Sequence, residues 1–513
     1  MKRAKGKVVL VGAGPGDPGL LTLKGLECLQ KADVVLYDHL VNPELLGFVR
    51  PGARHIFVGK RGPGSSKKQE TIYRLLARES KNAGLVVRLK GGDPYLFGRG
   101  AEEGVFLKKH GIPFEVIPGV TSALGCGAAA GIPLTERHTS SSVSFITGHE
   151  AEEGRLGRIA WRSLVQSAQT LVVYMGLSRI SDITAALIRN GASPQTPAAV
   201  VQWGTWSRQK TCEGRLGNIA GKVRKAGMGA PAVLFVGPTV RFRRELNWFE
   251  KRPLFGRTVV LTRPETQMLP FRRALENLGA RVLEIPAIEI RESTATRDAL
   301  DAAIIDLGAF DWIVFTSTNG VDAFFGRLES RFRKDGRALA LAKVAAVGEA
   351  TRERLRDRGI EPDFVPTQFS TLDLFKELNA RFRPIAGLRF LLVRSQIAPP
   401  LLTRKLEQKG ARVTEVAAYR TLMPRGPIRR AFRRTQPAPD AICFTSASTA
   451  QGFLSAVPPG EFRRRWKGTR IVSIGPVTSR AVRERGLRVH AEARPYTADG
   501  LVRALTRLFN LGG

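Results

Sequence analysis

The stretch LVGAGPGDPGLLT, Leu10 to Thr22, is an apolar run that breaks into four glycines and two prolines before a second apolar pattern begins. Small residues at such a break let a ligand approach the backbone. A dinucleotide fingerprint needs G-x-G-x-x-G, and Gly12 and Gly14 supply its first two glycines, but Asp17 takes the place of the third. A carboxylate there would face a pyrophosphate, and Pro15 removes a backbone N–H of the kind that binds phosphate. The loop argues against NAD.

Other chemistries are narrowed by composition. The four cysteines (Cys28, Cys126, Cys212, Cys443) and six histidines are scattered without C-x-x-C or Cys/His spacing, which argues against a disulfide framework and against a metal site, and fits a reducing cytoplasm. No run approaches the roughly 18 apolar residues of a membrane span. The 81 Lys and Arg against 45 Asp and Glu give a net charge of +36, a field that attracts polyanions. Nucleic acid and a small polycarboxylate both remain open, beside a merely solvated basic surface. The clusters IRRAFRR (428–434) and FRRRWKGTR (462–470) lack regular aromatic interleaving and speak only weakly for nucleic acid.

The elements that must carry these loops alternate between β-branched runs and helix-period segments. VVLVG (8–12), LLTLKGLECLQKA (20–32) and DVVLYD (33–38) read as strand, helix, strand, which implies parallel sheets. The rhythm continues through LVVRLKGGDP (85–94), SVSFITGH (142–149), TLVVYMG (170–176), PAAVVQWGT (197–205) and APAVLFVG (230–237), with glycine after nearly every strand. Ligands of open α/β sheets bind beyond the carboxyl ends of strands, so these loops should line one site.

A charged segment, VRFRRELNWFEKRP (240–253), precedes a fresh start at FGRTVVLTRPE (255–265), and a domain boundary is expected near 250. Beyond it the chain repeats itself. RTVVLTRP with LGARVLEIPAIE (257–289) answers LRFLLVRS with KGARVTEVAAY (388–419), and FDWIVFTSTNGVDAFF (310–325) answers PDAICFTSASTAQGF (439–453). Arg263 and Arg394, Phe315 and Phe444, and Gly348 and Gly475 are 131, 129 and 127 residues apart. The period suits two similar α/β lobes facing each other across a cleft, a place that ligands favour.

The first loop is followed in order by YDHLV (37–41), VGKRGPGSSKKQ (58–69), VVRLKGGDPYLFGRG (86–100), PGVTSALGCGAAAGIPLT (118–135), TGHE (147–150) and VYMGL (173–177). This series resembles the tetrapyrrole methylase family, and within it the S-adenosylmethionine-dependent uroporphyrinogen III C-methyltransferases, over residues 5–245. The resemblance implies a fold of two α/β subdomains, S-adenosylmethionine as methyl donor, S-adenosylhomocysteine as product, and a homodimer. It carries cofactor contacts onto Pro15, Gly91, Gly92, Asp93, Leu96, Thr121, Ser122, Met175 and Gly204, with Asp93 placed to neutralise the cofactor's positive charge. It implies Asp38 as proton acceptor and Lys60 as donor. The eight substrate carboxylates call for arginine, for which Arg61 and Arg99 are candidates. One departure stands out: LTERHT (134–139) has Glu136 where relatives commonly have histidine.

After a linker at 246–255, the motifs VLTRP, FTSTNGV, GEAT, VAAYRT, FTSAST and IGPVTSRA resemble the uroporphyrinogen III synthase family over 256–510. The fold implied is two-lobed, one lobe about 291–420 and the other 256–290 plus 421–510. The resemblance implies closure of the octacarboxylate hydroxymethylbilane with inversion of its last ring and no cofactor. Tyr419 matches the family's catalytic candidate, and Thr316, Ser317, Ser370, Ser446, Ser448 and Thr478 could hold acetate and propionate groups. Arg263 and Arg394, at equivalent strand ends, have both a substrate-binding and a structural reading.

The expectation is an α/β bifunctional enzyme that makes uroporphyrinogen III and methylates it at C-2 and C-7 to precorrin-2, on the way to sirohaem, cobalamin or haem. Its partners would be small tetrapyrroles, with no nucleic acid, membrane or metal. The rival is a basic nucleic-acid-binding protein or RNA methyltransferase of the same fold with a non-catalytic second half. A further precorrin-2 dehydrogenase and chelatase activity finds no unassigned residues to house it.

Overall fold

The β-branched run of β1 (Lys7–Gly12) is buried along almost its whole length, because a parallel sheet with both faces covered exposes neither side of a central strand. The computed structural model describes residues 6–59, 69–148, 159–264, 268–292, 297–367, 371–396 and 398–510. β1 pairs in parallel with β4 (Leu85–Lys90) and β5 (Phe114–Ile117), and β4 continues through β2 (Val34–Tyr37) to β3 (Arg54–Phe57). The order is β3-β2-β4-β1-β5, all parallel. The loops after β1, β2 and β4 therefore emerge at one edge, the edge that holds Pro15, Asp38 and the Gly91-Gly92-Asp93 turn.

The second sheet has β6 (Val143–Thr147), β7 (Thr170–Tyr174), β8 (Pro197–Gln202), β9 (Lys210–Arg215) and β10 (Ala232–Val236) in the order β6-β7-β10-β8-β9. Only β6 and β7 are parallel. The pairs β7/β10, β10/β8 and β8/β9 run antiparallel, which corrects the parallel expectation. The residues between β8 and β9 are too few for the dozen or so of a parallel crossover, so the strand must fold straight back.

Residues 246–255 are packed into this first unit rather than forming an extended linker. Phe249 and Leu254 are buried, and the Trp248 indole donates to the Ala128 carbonyl at 2.9 Å. The buried Arg243 joins Glu213, Glu250 and the Ala130 carbonyl. The chain divides into two compact units, the first reaching Gly256 and including Leu278–Arg281, the second comprising the remainder.

The second unit holds β11 (Thr258–Leu261), β12 (Arg281–Glu284), β13 (Glu289–Glu292), β14 (Trp312–Phe315), β15 (Lys343–Ala346), β16 (Arg389–Ser395), β17 (Arg412–Leu422), β18 (Ala441–Phe444), β19 (Arg470–Ser473) and β20 (Ala491–Glu492). They form two sheets, β12-β11-β18-β19-β20 and β13-β17-β16-β14-β15. Each sequence repeat places its first two strands in one sheet and its next two in the other. Core clusters rich in Phe, Leu, Ile and Val pack against these sheets, among them Phe315, Phe324 and Phe325 in one and Phe432, Phe453 and Trp466 in another.

Burial opposes ionisation of Glu250, but hydrogen bonds from Gln209, Thr211 and the Arg243 guanidinium outweigh it and hold its pKa below the ordinary 4.5. A depressed carboxylate stabilises the fold above its unfolded pKa and loses that contribution as pH falls through the folded one. Thermal unfolding between pH 7 and pH 3 is expected to show Glu250→Gln less stable at neutral pH by about 1–3 kcal/mol, with the gap to wild type narrowing below pH 4.5. A gap that stays constant with pH removes Glu250 as its source.

Candidate functional site

Three loops at the carboxyl edge of the first sheet touch backbone to backbone. A Cβ on Gly12 would lie 2.5 Å from the Cα of Gly119, and one on Gly119 would lie 2.3 Å from the Gly92 carbonyl oxygen. Gly14 and Gly92 exchange hydrogen bonds, Gly14 N to Gly92 O at 3.2 Å and Gly92 N to Gly14 O at 2.8 Å. Asp93 completes the junction. Its Oδ1 accepts from the amides of Tyr95 and Leu96 at 2.8 and 3.1 Å, and its Oδ2 from Gly119 N at 3.0 Å. The carboxylate expected to neutralise a cofactor charge thus ties two loops together.

The Leu10–Thr22 loop spends its donors internally. Ala13 N goes to Lys90 O, Gly14 N to Gly92 O, Asp17 N to the Thr205 hydroxyl and Gly19 N to the Asp17 carboxylate. Asp17 caps the short helix Pro18–Leu20, a role legible in the Asp-Pro-Gly sequence. No ring of free amides is left for a phosphate among these four. Pro15 packs against the helix Ser122–Ala130, where a Cβ on Gly125 would come within 2.4 Å of its ring.

That helix carries the loop of Thr121 and Ser122 to the second sheet. Thr121, buried, shares a hydrogen bond of 2.7 Å with the Tyr174 hydroxyl, which also accepts from Ala123 N at 3.0 Å. Burial pushes the Tyr174 phenol up. The next residue, Met175, is 49% exposed with φ of 51°. Phe97, Arg99, Trp203 and Thr205 share this left-handed conformation, so five of the six such non-glycine residues in the described chain edge these loops. Strain of this kind is kept only where surrounding structure over-determines it. Gly204 lies between two of them against Cys126, where a Cβ would meet the sulfur at 2.3 Å. Leu96 packs with the core cluster of Ala123 and Tyr174.

Asp38 lies at the end of β2, half-buried, and its Oδ2 is 3.4 Å from Arg88 Nη2. Arg88 also faces Glu103 at 3.5 Å, and Lys90 meets the same Glu103 oxygen at 3.0 Å. All three are buried. Desolvation lowers the Lys90 pKa, with the Arg88 charge adding to it and Glu103 opposing. Two cations and two carboxylates buried together balance one another, and Asp38 is the member that reaches the edge. Sequence reading missed Arg88, Lys90 and Glu103; the signal was charge inside a strand whose other residues are apolar. Arg99 opens the helix Gly100–Lys109 and pairs with Glu102 at 2.6 Å, leaving both half-exposed. Glu136 closes its own turn, accepting from His138 N at 3.1 Å, while a hydrogen bond from Thr139 holds its pKa down.

In the second unit the Tyr419 hydroxyl is 2.9 Å from Ser317 Oγ, which caps the helix Thr318–Phe332 through Gly320 N at 3.2 Å. Tyr419 is 6% exposed. Ser446 and Ser448 hydroxyls stand 2.8 Å apart at the start of the helix Ala447–Ala456, where Ser446 and Thr449 form a capping box. The Thr316 hydroxyl donates to the Val393 carbonyl at 3.4 Å, and Thr478 is only 3% exposed. Lys60, Arg61 and Ser370 lie outside the described residues. Among the described residues no group of three or more His, Cys, Asp or Glu could hold a metal, and no helix is long and apolar enough to cross a membrane.

The two sheets and their glycine junction define one α/β unit, followed in the chain by a second α/β unit made of exchanged repeats. Residues 7–220 match the Tetrapyrrole (Corrin/Porphyrin) Methylases family and residues 270–503 match Uroporphyrinogen-III synthase HemD. The chain is 35% identical over 509 residues to the porphyrin biosynthesis protein HemD of Ruminiclostridium josui, covering 99% of this chain and 98% of that one. It is 40% identical over 363 residues to a uroporphyrinogen-III C-methyltransferase of Bacillus subtilis, covering 70% of this chain and 74% of the relative. A solved structure of the Thermus thermophilus uroporphyrin-III C-methyl transferase complexed with S-adenyl homocysteine is 43% identical, covers 46% of this chain and 99% of its own, and has a TM-score of 0.41. The chain belongs to the tetrapyrrole methylases in its first half and to the uroporphyrinogen-III synthases in its second. It is a tetrapyrrole-biosynthesis enzyme that joins a C-methyltransferase to a synthase.

The glycine junction predicts opposite signs for two Gly→Ala changes. Gly119→Ala forces backbone apart and is expected to cost about 1–3 kcal/mol, whereas Gly221→Ala, in the helix Ile219–Lys225 with nothing within 4 Å of its Cβ, is expected to stabilise. Thermal unfolding of both variants measures this. Equal effects would mean that the junction is slack.

Proposed function

We propose that the second unit, residues 256–510, closes hydroxymethylbilane to uroporphyrinogen III with inversion of the last ring, and that the first, residues 5–245, methylates this product at C-2 and C-7 to precorrin-2. The observation that carries the methyl-transfer reading is the Leu10–Thr22 loop, whose Ala13, Gly14, Asp17 and Gly19 amides are hydrogen-bonded within the fold and whose Asp17 repels phosphate. Such a loop suits S-adenosylmethionine, which has no phosphate. The cofactor supplies an electrophilic methyl group on a sulfonium.

Pro15, Gly91, Gly92, Leu96, Thr121, Ser122, Met175 and Gly204 would hold it, with Asp93 fixing the loops around it. Asp38 would accept a proton from the macrocycle after the pyrrole carbon is methylated, with the Arg88 guanidinium 3.4 Å from its Oδ2. Lys60 would return the proton, and Arg61 and Arg99 would bind carboxylates. In the synthase, Tyr419 would donate a proton to the leaving hydroxyl, its ring oriented by Ser317. Thr316, Ser317, Ser446 and Ser448 would meet the acetate and propionate groups through hydroxyls and strand-end amides; Ser370 belongs to the same reading. For the buried Thr478 the backbone N–H is the group offered. The family resemblance supports a homodimer through the methyltransferase and a cytoplasmic setting.

The purified chain given hydroxymethylbilane and S-adenosylmethionine is expected to yield type III macrocycle with two added methyl groups, followed by absorbance and mass. Unmethylated type I macrocycle alone would refute both halves. Asp38→Asn is expected to lower methylation by about 10²–10⁴-fold without affecting ring closure, and Tyr419→Phe to do the reverse. Full methylation by the Asp38 variant would remove that residue from the chemistry.

A further inference from the structure

The synthase unit contains two copies of one arginine site, and they are wired differently. In the second copy Arg394, at the carboxyl end of β16, is buried with Nη1 2.8 Å from Glu415 Oε1 and 3.3 Å from the Thr403 hydroxyl, while Nη2 donates to the Pro399 carbonyl. The Thr403 hydroxyl donates to the other Glu415 oxygen at 2.5 Å. This arginine is neutralised within the fold, so its structural reading holds.

In the first copy Arg263 follows β11, and the repeat aligns Arg272 with Thr403 and Glu284 with Glu415. Twelve residues separate Arg272 from Glu284, as they separate Thr403 from Glu415. Replacing the threonine by arginine adds a second cation, and that cation takes the acid. Arg272 Nη1 is 3.2 Å from Glu284 Oε1, and its Nε donates to Glu276 at 2.8 Å. Arg263 is left half-buried, with no hydrogen bond or ion pair from its guanidinium among the described residues. Desolvation lowers its pKa with no anion working against it, yet a guanidinium stays charged. An enclosed cation without a counter-charge costs free energy that an anionic ligand would recover.

Its position fits a ligand. Leu261 of β11 is level with Cys443 of β18, so the chain leaves β11 beside the turn that carries the paired hydroxyls of Ser446 and Ser448. Strand-end edges of parallel sheets are where such folds bind ligands. We propose that Arg263 is a carboxylate-binding residue of the synthase site, taking one acetate or propionate of the octacarboxylate substrate in a two-pronged hydrogen bond, and that Arg272 keeps it available by holding Glu284 away. This rests on the synthase reading above and names the residue that its substrate class requires.

Arg263→Gln is expected to raise KM for hydroxymethylbilane about ten- to a hundredfold, with kcat for ring closure at saturating substrate retained as proof that the synthase unit is folded. Arg272→Thr, which recreates the wiring of the second copy, should raise KM likewise by releasing Glu284 to Arg263, and adding Glu284→Gln to it should restore the wild-type value. Unchanged KM in both Arg263→Gln and Arg272→Thr overturns the proposal. Titration with uroporphyrin III, followed by its fluorescence, separates the two levels of inference. A wild-type chain that fails to form type III macrocycle yet loses one bound uroporphyrin on Arg263→Gln refutes the synthase reading and keeps the anion site. An active synthase whose stoichiometry and KM survive the change refutes the anion site alone.

Discussion

Three strand-end loops of the methyltransferase meet without side chains between them, and the close approach of Gly12, Gly92 and Gly119 sets the position of everything that follows. Because the backbones touch, the Asp93 carboxylate can span from one loop to the next, and Pro15 is brought against Gly125 of the following helix. That helix in turn brings Thr121 to Tyr174, and so couples the parallel sheet to the mixed one. The strained residues Met175, Trp203 and Thr205 lie at the far end of this chain of contacts. A rigid junction of this sort is what lets a site tolerate unfavourable backbone conformations beside it.

Much of this was legible in the residues. Glycine after each apolar run marked the strand ends, and the missing third glycine with Asp17 in its place marked a loop unsuited to phosphate. What the pattern could not convey was strand direction in the second sheet, because alternation of apolar and polar residues is the same for parallel and antiparallel pairing. Asp17 was visible as a charge and not as a cap, although Asp-Pro-Gly carries that signal. The group of Arg88, Lys90, Glu103 and Asp38 was hidden for a different reason. Its members come from three separate elements, and only long-range folding places the two cations of β4 between the two acids.

The excess of positive charge also takes on a more specific meaning. Many arginines are paired on the surface, as Arg352 and Arg356 are with Glu361 and Arg354 is with Asp322. Such exposed pairs contribute little to stability. The informative comparison is between arginines that look alike in sequence: Arg394 is satisfied inside the fold, and Arg263 has no such partner among the described residues. On the proposed reading, the difference between Thr403 and Arg272 separates a structural cation from one available to a ligand. Net charge alone could not have drawn that distinction.

The exchange of strands between the two repeats has a consequence for how the chain is made. The sheet that begins with β11 and β12 cannot be completed until β18, β19 and β20 have been synthesised, and the whole of the other lobe is interposed between them. On an emerging chain the methyltransferase can finish folding first and the inner lobe next, while residues 258–284 wait with one edge of β11, the edge that takes β18, unpaired. Pairings across so long a separation are slow to form. The outer lobe is therefore the last part of the molecule to close, and the open edge of β11 is the segment most in need of protection while translation continues.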